Sequence, residues 1–231
     1  MASDIFNRKL LLRLISALAL LPVVLLPLWY GGFAFKALLA VACLLMLVEW
    51  NQITCKGQSL SVLARWRWRV LGFLYIGIPL IAFSWLRQSP DGLWWVGWTF
   101  LMVWAMDVGG FFAGKAIGGP KLAPSISPGK TWAGLIGGVA LAVAASWVML
   151  WVLSLYPALG AGINPPWYAA GIVALVAQIG DLFESAVKRR FHVKDASGLI
   201  PGHGGLLDRA DGLMFAGPLV YAAVHFQFLV F

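Results

Sequence analysis

Apolar residues run through this chain in long blocks separated by short polar connections. Seven blocks can be marked, at about 10–29, 34–50, 70–86, 92–113, 131–155, 167–187 and 213–231. Each is roughly 17–25 residues long, enough to cross a ~30 Å hydrocarbon core as a helix. In lipid a backbone has no water to bond, so runs of this length satisfy their N–H and C=O groups internally. The pattern predicts an all-α, polytopic transmembrane helix bundle of about seven spans. Pro22 and Pro27 are expected to kink or split the first block, and Gly109 with Gly110 to end the fourth early.

The first block follows Arg8 and Lys9 and contains Arg13, which resembles the charged start of a secretory signal. It is too long for a typical signal core, lacks a persuasive cleavage site and is followed by more spans, so it is read as an uncleaved first helix. The longest polar stretches are 51–69, 114–130 and 188–212. With the N-terminus placed in the cytoplasm, all three fall on that side. So do Arg8, Lys9, Arg13, Lys56, Arg65, Arg67, Arg69, Lys115, Lys121, Lys130, Lys188, Arg189, Arg190, Lys194 and Arg209, fifteen of the 17 basic residues. Only Lys36 and Arg87 lie elsewhere. Cytoplasmic loops of membrane proteins collect Lys and Arg, so the asymmetry supports this orientation.

Composition agrees with a bilayer as solvent. Hydrophobic residues make up 61% of the 231, charged residues 11%, and the mean hydropathy is +0.85; a soluble domain carries roughly 25% charged residues. Residues 1–231 are read as one integral membrane domain, 1–90 supplying N-terminal helices and 92–231 the helices and loops that carry the chemistry. The net charge of +8 is taken up by the basic cytoplasmic loops, and no nucleic-acid partner is expected. Cys43 and Cys55 suggest neither a disulfide framework nor a metal site. The segment Arg65-Trp66-Arg67-Trp68-Arg69 reads mainly as an interfacial anchor, with recruitment of an anionic lipid as the other reading.

The nine acids are Asp4, Glu49, Asp91, Asp107, Asp181, Glu184, Asp195, Asp208 and Asp211. Asp4 and Asp91 read as ordinary terminal or loop residues. Asp107 lies inside the fourth block, and Asp181 and Glu184 near the cytoplasmic end of the sixth. An acid inside a span costs about 2.5–3.5 kcal/mol at the helix centre on insertion scales, so each is a functional candidate, against the alternative of a loop-end acid paired with a local Lys or Arg. Asp181, Glu184, Ser185 and Lys188 share one helical face. The connection after them holds Pro201-Gly202-His203-Gly204-Gly205 and then Asp208-Arg209-Ala210-Asp211. Glycines there permit close approach of backbone to a ligand, and successive amides can cradle phosphate oxygens. Asp208 and Asp211, three apart, face the same way if helical, and carboxylates of this kind suit Mg²⁺ bound together with substrate phosphates. The inventory fits a nucleotide's phosphates better than a redox centre. A Ser185–His203–Asp208 triad lacks the G-x-S-x-G elbow, and there is no Walker A loop.

The 27 positions from Ser185 through Lys188-Arg189, Lys194-Asp195 and Pro201–Gly205 to Asp208-Arg209-Ala210-Asp211 resemble the signature of the phosphatidate cytidylyltransferase (CDP-diacylglycerol synthase) family. Asp107-Val108-Gly109-Gly110-Phe111-Phe112 and Ser127-Pro128-Gly129-Lys130-Thr131-Trp132 resemble a second set of its elements. The likeness covers about residues 100–220; Ala210, Ala133 and Gly129 depart from the usual residues without removing a ligand. The resemblance implies transfer of a cytidylyl group from CTP to phosphatidate for phospholipid biosynthesis. It implies Mg²⁺, with a second cation left open, on Asp181, Asp208 and Asp211. Lys188, Arg189, Lys194, Asp195, His203 and Arg209 would be catalytic, and Ser185, Gly204, Gly205, Asp107, Ser127 and Lys130 would bind substrate. It also implies a homodimer and a bacterial inner membrane, with the active site and catalytic loop facing the cytoplasm. The alternatives are a related CTP-dependent lipid or polyprenol kinase or nucleotidyltransferase, and a membrane transporter. Transporter sites tend toward the midplane, whereas these acids gather at one face. The D-G-x-x-A-R pattern of CDP-alcohol phosphotransferases does not follow Asp211.

The seven-span topology puts the C-terminus outside. A reporter fused after Phe231 should register as periplasmic, and a cytoplasmic signal would refute the count.

Overall fold

In the computed structural model, residues 16, 18–55, 60–159, 162–200, 202 and 204–227 are described. The helices are α1 (Leu18–Tyr30), α2 (Gly32–Cys55), α3 (Val62–Gln88), α4 (Gly92–Ala116), α5 (Trp132–Leu155), α6 (Trp167–Arg190) and α7 (Leu207–His225), with strands β1 (Lys121–Ala123) and β2 (Ser127–Thr131) between α4 and α5. Helices α2 to α6 are long and apolar enough to cross a membrane, and α1 is shorter. Their outward faces carry large apolar side chains such as Leu44, Phe73, Trp147 and Trp151, as helices solvated by lipid require.

Several boundaries differ from the expected ones. Pro22 and Pro27 do not split α1; the break falls at Gly31 and Gly32, both at positive φ, a conformation that favours glycine. Arg65–Arg69, expected in a connecting loop, are helical, because α3 begins at Val62. The polar stretch 114–130 is not all loop. It folds as an antiparallel hairpin pairing Lys121 with Thr131 and Ala123 with Ser127. The seventh apolar block starts later than its helix: α7 opens at Leu207 and takes in both Asp208 and Asp211.

The chain forms two compact units, one of Met1–Gly77 with Lys188–Ala210 and the other of Ile78–Val187 with Asp211–Phe231. In the first, Trp50 of α2 donates its indole N–H to the Trp68 carbonyl at 2.8 Å and lies over Gly72, where a Cβ would sit 2.3 Å from the ring. Trp68 meets Phe191 edge-on at 4.9 Å.

In the second unit, α4 and α5 pack through glycine. A Cβ on Gly109 would lie 2.7 Å from the Gly137 carbonyl oxygen and 2.9 Å from Gly138 Cα, and one on Gly134 would lie 2.8 Å from the Gly110 oxygen. Gly109 and Gly110 therefore do not end α4, which continues to Ala116; they let two backbones touch, as small residues do at helix contacts in membranes. Trp98 adds a buried bond to Ser146 Oγ at 2.8 Å. Asp91 is also more than a loop acid, since its Oδ1 accepts the Gly162 N–H at 3.0 Å.

This packing is testable with a matched pair. Gly109→Ala overpacks a backbone contact and should lower stability in detergent by about 1–3 kcal/mol. Gly97→Ala, on the same helix with open space around it, should leave it unchanged or slightly raised. Equal melting temperatures for the two variants would refute the glycine contact.

Candidate active site

The start of α5 sets the position of Lys130. Thr131, in extended conformation, caps the helix by accepting the Gly134 N–H on Oγ1 at 3.0 Å, satisfying one of the N–H groups a helix start leaves over. The residue before it, Lys130, then reaches the Asp181 carboxylate of α6. Ser185, one turn on, donates its hydroxyl to the other Asp181 oxygen at 3.3 Å. The chain approach of α6 and α7 is again made by small residues. A Cβ on Gly180 would be 2.5 Å from the Asp211 carbonyl oxygen, and one on Gly212 would be 3.4 Å from Ala177. With no side chains to hold the helices apart, Asp211 sits within electrostatic reach of Asp181, Glu184 and Asp107. Glu184 is fully buried, Asp211 half-buried and Asp107 exposed. Four carboxylates so close repel one another unless positive charge lies among them, and Lys130 supplies part of it.

The second cluster, in the other compact unit, is organised by Asp208. Its Oδ1 accepts from Lys188 Nζ at 2.6 Å, and its Oδ2 accepts the backbone N–H groups of Gly205 at 2.8 Å and Ala196 at 2.9 Å. Burial pulls the Asp208 carboxyl upward, but the Lys188 ammonium and the two amides outweigh it and leave it below its usual value. Asp208 lies in the first turn of α7, ahead of that helix's apolar stretch. Gly204 closes the turn by pairing with Ile200 in both directions, at 2.8 and 3.1 Å. The amides expected to cradle phosphate, those of Gly204 and Gly205, are thus engaged within the loop.

The structure brings together Lys130, Asp181 and Ser185 with Asp107 and Asp211, and separately Lys188, Asp208, Gly204 and Gly205. Arg189, Lys194, Asp195 and Arg209 are exposed, and Ser127 is half-buried in β2. His203 lies outside the described residues. Asp208 and Asp211 share the helix expected of them but have different neighbours. Among the described residues, no three His, Cys, Asp or Glu side chains are spaced as a closed ligand set. Asp181 and Asp211 do offer carboxylate oxygens, the donor type Mg²⁺ selects, within electrostatic reach of one another.

One organising residue escapes every motif above. Glu49 of α2 is 2% exposed and accepts hydrogen bonds from Ser197, Leu206 and Leu207. The signal that points to it is the one that singles out Asp107, a lone acid within an apolar block.

A family model described as the cytidylyltransferase family matches residues 57–227. Among curated proteins, the chain is similar to the phosphatidate cytidylyltransferase of Brucella suis biovar 1, with 37% identity over 90% of this chain and 91% of that one. It is 33% identical to that of Rickettsia bellii over 96% and 93% of the two chains. With that of Staphylococcus haemolyticus it shares 34% identity over 89% and 76%.

Proposed function

The chain belongs to the cytidylyltransferase family, and we infer from its carboxylate clusters how it transfers a cytidylyl group from CTP to phosphatidate, giving CDP-diacylglycerol and pyrophosphate. One observation carries the reading. Two aspartates suited to a divalent cation each hold a lysine suited to phosphate, Lys130 on Asp181 and Lys188 on Asp208.

Phosphatidate is a phosphate monoester, already anionic near neutral pH. Its oxygen attacks the α-phosphorus of CTP; the new P–O bond forms as the bond to the bridging oxygen of the β-phosphate breaks, and pyrophosphate leaves with that electron pair. No proton has to be removed, which agrees with a site poor in general bases. The difficulty is bringing two polyanions together, so catalysis rests on positioning and charge neutralisation. Mg²⁺, when bound, would supply positive charge to offset the phosphates and the leaving pyrophosphate. Asp181 and Asp211 would hold it, with Asp107 and Glu184 deepening the local negative potential, and Asp208 would serve as ligand in its own cluster.

The lysines do the rest. Each is oriented by its aspartate until phosphate oxygens compete for its N–H donors. An ammonium that turns from carboxylate to phosphate would leave its aspartate available to hold the cation. Ser185 keeps Asp181 oriented meanwhile. Exposed Arg189, Lys194 and Arg209 raise the positive potential that draws in CTP. We place each of these clusters toward the cytoplasm, where the basic loops gather and CTP is found, in the cell membrane of a bacterium like those of its relatives.

Two experiments test the reading. In the first, Lys130→Gln and Lys188→Gln should each lower kcat/KM for CTP about 10- to 100-fold, the equivalent of a charged hydrogen bond of about 1.5–3 kcal/mol. The same variants should need less Mg²⁺ for half-saturation, because a competitor has left the carboxylate. Wild-type values of both parameters per folded molecule would mean the pairs are only structural. In the second, pyrophosphate release in detergent should require both CTP and phosphatidate. Equal turnover with ATP would defeat the nucleotide assignment.

A further inference from the structure

We propose that Glu49 is a positioning residue for this reaction, a buried carboxylate on α2 that fixes the start of α7 and the loop before it, and through them Asp208. The proposal rests on the reading of Asp208 as part of the catalytic machinery. It concerns a residue outside the stretch 57–227 that the family model matches and outside the signature motifs.

The geometry is specific. Glu49 Oε1 accepts from Ser197 Oγ at 2.5 Å and from the Leu206 N–H at 2.9 Å, while Oε2 accepts the Leu207 N–H at 2.8 Å. Leu206 and Leu207 stand at the N-terminus of α7, where backbone N–H groups lack intrahelical acceptors and the helix dipole favours negative charge. A local Ser, Thr or Asp usually fills this role. Here it falls to an acid 157 residues away in sequence from Leu206. Gly205 makes the approach feasible, since a Cβ there would lie 2.8 Å from Glu49 Oε1 and 2.9 Å from Ala196 Cβ.

Asp208 grips the same two stretches of loop, one residue over. It takes the N–H groups of Ala196 and Gly205, and Glu49 takes the hydroxyl of Ser197 and the N–H of Leu206. The two carboxylates therefore hold adjacent residues on both arms of the loop. Asp208 cannot keep its amide partners if the arms spread, and Glu49 is what ties both arms to α2. A carboxylate buried this deeply is costly unless its lone pairs are used. The three donors use them, and a neutral Gln would not serve equally, because its amide group would face the Leu207 N–H donor to donor.

The test is steady-state kinetics on purified Glu49→Gln, Glu49→Ala, Ser197→Ala and Asp208→Asn proteins, with thermal melting in detergent on the same preparations. Assays are run well below each melting point and normalised to folded protein. Glu49→Gln should lower kcat about ten-fold and shift the Mg²⁺ half-saturation upward, with KM for CTP little changed, and Ser197→Ala should show the same pattern at about three-fold. Glu49→Ala should fall further than Glu49→Gln. If Glu49→Ala fails to accumulate, Glu49→Gln and Ser197→Ala carry the test. Earlier melting with wild-type kcat and Mg²⁺ dependence in the Glu49 variants, while Asp208→Asn is impaired, overturns the proposal alone. Wild-type turnover in Asp208→Asn overturns the reading of Asp208, and the proposal with it.

Discussion

Negative charge placed among apolar helices has to be matched by donors or cations, and this constraint organises the molecule. A buried carboxylate that is neither paired nor hydrogen-bonded is strongly unfavourable. The chain meets the constraint in graded ways. Glu49 is satisfied by a hydroxyl and two amides. Asp208 takes two amides and an ammonium. Asp181 takes an ammonium and a hydroxyl. Asp211 differs in kind, since it is surrounded by other carboxylates and bonds the N–H of its own neighbour, Gly212. Carboxylates are thus gathered most densely around Asp211.

Charge can be gathered this way only because backbones come close. Side chains at Gly180 and Gly212 would push α6 from α7 and separate Asp181 from Asp211. The α4–α5 contact through Gly109, Gly134, Gly137 and Gly138 does the same for the hairpin that delivers Lys130, because the Thr131 cap is continuous with α5. Gly114 completes that corner, lying where a Cβ would be 3.1 Å from Thr131 Oγ1. Glycine usually weakens a helix. Here its lack of a side chain sets the distances on which the site depends.

The five long apolar helices α2 to α6 were legible because lipid imposes a length and a composition on each helix separately, so no tertiary information is needed to find them. Asp181, Asp208 and Asp211 could each be singled out for a related reason, since an acid near an apolar run has few innocuous explanations; that Asp208 keeps different neighbours from the other two could not be seen. What could not be seen was set by contacts between distant parts of the chain. The helical start of α3 looked like loop because Arg65, Arg67 and Arg69 lower its hydropathy, although alternating Trp and Arg are compatible with a helix at an interface. Gly109 and Gly110 looked like a helix end because local propensity says nothing of Gly137 and Gly138 opposite. Glu49 had a visible signal, but its partners lie in a loop about 150 residues away, and no spacing rule connects them.

The signature region therefore cannot be read as a list of ligands. Gly205 looks like a phosphate-binding glycine, yet its N–H is bonded to Asp208 and its missing Cβ makes room for Glu49. Ala196 supplies an amide, and Ala210 is 7% exposed. These residue types are dictated by the need to fold a tight loop around two carboxylates. On the proposed reading Lys188 and Asp208 stand on both sides of the distinction, since the ion pair that closes the loop would also hold the charges that the reaction calls on. A loop shaped by its own charged groups keeps them aligned before substrate arrives, and preorganised charge is what lowers the barrier when two polyanions must meet. On that reading folding and chemistry would place the same demand on Asp208, so a residue that looks structural by its contacts can also belong to the proposed catalytic machinery.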